Sequence, residues 1–106
     1  MDSFQIPALL AAAESNAELY TEFLRVPSMS VGIYQLKAGA VDPQEPHHED
    51  EVYFVVSGKA YIQVGDEQEA LEAGSIVFVP AYKTHSFFDI QEDLNLLVFF
   101  APAESS

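Results

Sequence analysis

Three side chains able to hold a metal ion, His47, Glu51 and His85, stand at spacings that a β-rich chain can bring together. Glu51 opens a run in which Val52, Phe54 and Val56 alternate with Glu51, Tyr53 and Val55, ended by Ser57-Gly58. Strand side chains alternate between faces, so Glu51 shares its face with Tyr53 and Val55, and with His47 if the extended chain reaches back that far. His85 follows the apolar run Ile76 to Val79 and a turn from Pro80 to Thr84, and so begins the next strand. Two imidazoles and one carboxylate on one face of a metal, with other positions open, is the donor set of non-haem iron oxygenases. Tyr53 and Phe87 share predicted faces with Glu51 and His85 and are read as lining the pocket beside them. The competing reading of both is plain core, the usual place of an aromatic in a small barrel.

The spacing resembles the two motifs of the cupin family. The first motif runs Gly, five residues, His, one residue, His, three or four residues, Glu, six residues, Gly; Gly39, His47, Glu51 and Gly58 match it. The second runs Gly, five residues, Pro, one residue, Gly, two residues, His, three residues, Asn. Gly74, Pro80 and His85 match it, with Tyr82 where Gly is usual and Asp89 where Asn is usual. The 15 residues between Gly58 and Gly74 are similar to the short spacer of small single-domain bacterial cupins, and two motifs at the right mutual distance make a fairly specific signal.

The resemblance implies an all-β fold, a double-stranded β-helix or jelly-roll barrel, with His47, Glu51 and His85 as metal ligands. It departs where the first His belongs, because Glu45 stands there with Gln44 beside it. The fourth ligand is then Glu45, or Gln44 if the bend at Pro46 rotates the loop by one residue, or water or substrate. Strand parity favours Glu45, although Pro43 and Pro46 interrupt the alternation. His48 adjoins His47 and points to the other side. Donors of this kind without thiolate suit Fe(II), Mn(II), Ni(II), Co(II) or Zn(II), and a second carboxylate favours Fe(II) or Mn(II).

What the resemblance implies about activity is a metal-dependent enzyme acting on a small molecule, of dioxygenase, isomerase or lyase type, with the metal as Lewis acid or O2 site. Glu51, Glu45 and Tyr82 are the candidates for a general base, with turn filler as the alternative reading of Tyr82. A non-catalytic barrel that binds a small ligand, as a sensor or regulatory module, is the competing function. Cupin-like barrels commonly pair, which implies a homodimer, and the helix Ala8 to Ala13 and strand Leu94 to Phe100 are candidate surfaces.

The elements that must position these residues follow from turn signals. Pro7 and the Ala/Leu run after it predict a helix within residues 1–17, since Pro suits the first turn and Ala and Leu propagate it. Strands are predicted over Glu18 to Val26, Ser30 to Leu36, Glu51 to Val56, Ala60 to Val64, Gln68 to Leu71, Ser75 to Val79, Ser86 to Ile90 and Leu94 to Phe100. Gly65-Asp66-Glu67 and Gln91-Glu92-Asp93 are the turns between neighbours. Ala101 to Ser106 is expected to fray.

Composition bounds the function. A chain of 106 residues with 49% hydrophobic content is expected to form one domain, 1–106, with its barrel core over about 30–100. Seventeen acidic residues against four basic ones give a net charge of -13, which excludes nucleic acid and anionic membrane surfaces as partners, since both need basic clusters. There is no cysteine, hence no disulfide, thiolate nucleophile or zinc finger. The absence of Lys or Arg before Arg25 and of a long apolar run gives a cytoplasmic expectation.

Overall fold

A computed structural model describes residues 1–105. One helix, α1 (Ile6–Glu14), precedes six strands: β1 (Tyr20–Val26), β2 (Met29–Leu36), β3 (Asp50–Val64), β4 (Glu67–Leu71), β5 (Ile76–Val79) and β6 (His85–Ala101). Every pairing is antiparallel, in the order β1-β2-β6-β3-β4, with β5 on β3. The strands wrap into the expected all-β jelly roll, with the short helix lying on β1 and β2. No helix among the described residues is long and apolar enough to cross a membrane.

Two expected turns are not turns. Ser57-Gly58 lies inside β3, and Gln91-Glu92-Asp93 lies inside β6. These two long strands pair with each other from Asp50↔Ala101 to Val64↔His85, with register shifts between Val55 and Tyr61. Each strand thus runs the length of the one continuous sheet and bends where the register slips, as bulges allow. The bend is large. Glu51 and Val64 are 13 residues apart, roughly 40 Å along a straight strand; yet His85, the partner of Val64, comes within 2.9 Å of Glu51. Only a strand curled around a barrel brings the two together.

Alternation then fills the inside. Glu51, Tyr53 and Val55 are buried along β3, and Val52, Phe54 and Val56 are partly exposed, as the period of a strand requires. Tyr53 and Phe87 join Tyr34, Leu36, Leu96, Val98 and Phe100 in one apolar cluster. The Leu94 to Phe100 stretch is flanked by β2 and β3, so it offers no free edge, and only its outer face, with Leu97 and Phe99 partly exposed, is open to a partner. Residues 101–105 of the stretch expected to fray are tied down, with Ala103 N–H donating to Pro27 C=O at 3.3 Å and Ser105 to Glu49; Ser106 lies outside the described residues.

Candidate metal centre

The metal-ligating atoms of His47, Glu51 and His85 lie within 4.8 Å of one another. Glu51 is delivered by β3, opposite Val79 of β5. The chain leaving β5 at Pro80 therefore runs beside the loop that carries His47, and Tyr82 N–H donates to His47 C=O at 2.7 Å. His85 starts β6 immediately after, with its side chain fully buried. The expected strand does not extend back to His47, which stands in the loop before β3 and is half-buried.

The polar atoms of this cluster are incompletely partnered. His85 Nδ1 is fixed at 2.9 Å from Lys83 C=O, which makes it the donor and leaves the lone pair of Nε2 facing inward. Glu51 Oε1 is 2.9 Å from that Nε2, a contact that pairs the two only when Nε2 carries a proton, and Glu51 Oε2 is buried without a partner. Orphaned buried groups of this kind are expensive, and a buried carboxylate more so. A cation between them satisfies both. The donor set and the outer hydrogen bond of His85 thus fit a divalent metal.

Gln44, not Glu45, turns toward the cluster. Its Oε1 accepts from Tyr53 O–H at 2.9 Å and lies 3.2 Å from His47 Nε2, whereas Glu45 is exposed. Pro43 and Pro46 break the alternation that favoured Glu45, and Asp42 completes the rotation. Asp42 accepts from Gln44 N–H at 3.1 Å, Gln44 Nε2 at 3.0 Å, Phe87 N–H at 2.9 Å and Tyr34 O–H at 2.5 Å. With its amide nitrogen held by Asp42, Gln44 presents its oxygen to the site. Tyr82 is 70% exposed and stacks on His48, ring centroids 5.3 Å apart, so its phenol is not brought to the cluster.

Electrostatics follow from these contacts. Glu104, 3.1 Å from His47 Nδ1, holds that imidazole above its ordinary range. Burial pulls His85 down, but the adjacent Glu51 and the Lys83 carbonyl outweigh it and leave His85 raised as well. Tyr53 is pushed well up, by burial first and then by the charge of Glu51, and so stays protonated as a donor. Beside His47 lies a cavity of about 110 Å3 bounded by Tyr20, Tyr34, Gln44, Phe100 and Glu104; the Tyr20 hydroxyl is buried without a partner, packed over Gly32. Asp42 and Glu104 were not singled out from sequence. Asp42 carried a signal, since Asp-Pro before a polar residue initiates an Asx turn; Glu104 carried none.

The cupin domain family matches residues 32–100. The chain belongs to the cupin family. A Streptomyces coelicolor protein described only as uncharacterized is 50% identical over 105 residues, covering 99% of this chain and 100% of that one. Among solved structures, this cupin is similar to TT1209 from Thermus thermophilus, with TM-score 0.79 and 26% identity over 97% of this chain and 99% of that one. It is also similar to the DMSP lyase DddQ from Ruegeria pomeroyi DSS-3, with TM-score 0.67 and 25% identity, covering 72% of this chain and 39% of that one. KdgF from Halomonas sp. shares the fold at TM-score 0.71 and 20% identity, covering 78% of this chain and 76% of that one.

Proposed function

We propose that this cupin holds one divalent metal on His47, Glu51 and His85, with the amide oxygen of Gln44 in the place first expected of Glu45, and acts on a small oxygen-bearing molecule. The observation that carries the reading is the buried ligand set itself: His85 Nε2 lies 2.9 Å from Glu51 Oε1, Glu51 Oε2 is buried without a partner, and the ligating atoms of His47, Glu51 and His85 lie within 4.8 Å of one another. A metal bound there supplies a Lewis acid and, if it is Fe(II) or Mn(II), an O2 site; Ni(II), Co(II) and Zn(II) fit the same nitrogen and oxygen donors. The surrounding residues bind and orient. Tyr53 and Phe87 shield the site, and a cavity of about 110 Å3 beside His47 limits what enters to a small group. The likeness to a lyase at 25% identity supports lyase chemistry alongside dioxygenase and isomerase chemistry.

A non-catalytic ligand-binding barrel is the second reading. It is favoured by the placement of Glu45 and Tyr82 at the surface, which removes two of the three candidate bases and leaves Glu51, itself assigned to the metal. Titrating Mn(II) into the protein and following water-proton relaxation separates the two. Enhanced relaxation that disappears in Glu51→Ala supports an open, reactive position. Mn(II) bound without enhancement contradicts it and leaves the binding module. The chain acts as one cytoplasmic domain and pairs as a homodimer, for which exposed Ile76 and Phe78 of β5 add a surface to those expected from the sequence. Sedimentation velocity of Phe78→Lys at micromolar concentration tests this; a parent that sediments as a monomer contradicts it.

A further inference from the structure

His47 is held by a residue that no motif contains. We propose that Glu104, on the segment following β6, is a positioning residue that orients His47 toward the metal, so that residues 102–105 are part of the centre. The inference rests on the metal reading above. Glu104 Oε2 lies 3.1 Å from His47 Nδ1, and the two side chains are only 21% and 18% exposed. The ring's other nitrogen, Nε2, faces Gln44 Oε1, which is shared with Tyr53 of the buried face. A carboxylate on one imidazole nitrogen fixes the tautomer, stops the ring turning and makes the other nitrogen a better ligand. Lys83 C=O does the same for His85.

The segment is built to hold Glu104 there. Its N–H donates to Ser30 Oγ at 2.9 Å and its carbonyl accepts from Arg25 Nη2 at 2.7 Å. On either side, Ala103 N–H is bound to Pro27 C=O at 3.3 Å, and Ser105 donates from N–H and Oγ to Glu49 Oε2 at 3.1 and 2.6 Å. Glu49 is a buried carboxylate whose second oxygen has no partner. Burying the Glu49 side chain to anchor Ser105 costs desolvation energy, and the contact at His47, one residue away, is what the anchoring secures. Glu104 also walls the cavity beside His47.

The test is Co(II) binding by calorimetry, with the visible d–d spectrum as a second readout, on the parent, Glu104→Ala, Glu104→Gln, His47→Ala and the double variant His47→Ala/Glu104→Ala. Glu104→Ala is expected to weaken Co(II) about 10- to 100-fold, the usual effect of removing such an outer partner, and Glu104→Gln, which keeps an acceptor, by less. Removing Glu104 in the His47→Ala background is expected to change nothing further. Co(II) affinity within about twofold of the parent in the Glu104 variants overturns the inference, and Glu104→Gln alone decides it if Glu104→Ala does not fold. An equal loss in both backgrounds also overturns it, because a merely structural segment does not act through His47. A parent that binds no Co(II) overturns the metal reading itself.

Discussion

Asp42 shows how one residue sets the ligand geometry without touching the cluster. It accepts four hydrogen bonds, from Tyr34, from Phe87 and two from Gln44. Asp42→Ala is expected to cost about 2–4 kcal/mol by leaving these donors unmet and to free Gln44, read as a lowered urea midpoint and weaker metal binding; an unchanged midpoint contradicts this. The two histidines set the pH response. Both are held above 6.5 in the metal-free protein. Their protons therefore contribute stability that is complete below 6.5 and is lost as pH rises through the raised folded values. A metal needs the deprotonated rings, so its contribution runs the opposite way. The gap in Tm between metal-loaded and metal-free protein is expected to widen from about pH 6 to about pH 8, and a gap that narrows contradicts the ligand assignment.

At the scale of elements, the barrel depends on two strands, β3 and β6, long enough to curl right around it. Gly58 is the bend in β3. Its φ is +106°, and a Cβ there would collide with the backbone of Asp93 and Leu94 on β6. Gly58→Ala is expected to lower stability by about 2–3 kcal/mol through backbone strain and overpacking, measured by chemical denaturation; a loss under about 0.5 kcal/mol contradicts the bend. Much of this architecture was legible in the chain. The alternation of Glu51, Tyr53 and Val55 against Val52, Phe54 and Val56 named the inner face, and the run Ile76 to Val79 is β5 residue for residue. Gly58 and Gln91 to Asp93 misled because glycine and polar clusters usually end strands, whereas a strand curling around a barrel uses them at its outer bend. Parity chose Glu45 over Gln44 because two prolines and Asp42 control that loop, and parity belongs to strands. Tyr82 and Asp89, which replace the family's Gly and Asn, are the two non-glycine residues with positive φ among those described, so the backbone is kept where the residue types are not. The contact of Glu104 with Ser30 spans 74 residues, a distance at which no local pattern speaks.

For the whole molecule, the net charge of -13 sets the terms. Thirteen excess negative charges on a chain of 106 residues repel one another in the compact state, and salt screens them over about 10 Å at 0.1 M. Raising NaCl from about 0.02 to about 0.5 M is expected to stabilise the protein by roughly 1 kcal/mol, or about 4–8 °C in Tm; a fall in Tm contradicts the repulsion. The same acidity bears on the site, where a cation beside the buried Glu51 relieves the excess. Elemental analysis of the protein purified without chelator or affinity-tag metal, repeated on His47→Ala and His85→Ala, tests this most directly. Near-stoichiometric Fe, Mn, Ni, Co or Zn in the parent, lost in both variants, is the predicted result. A parent free of metal even after reconstitution, or variants that keep it, would contradict the assignment of His47, Glu51 and His85 as its ligands.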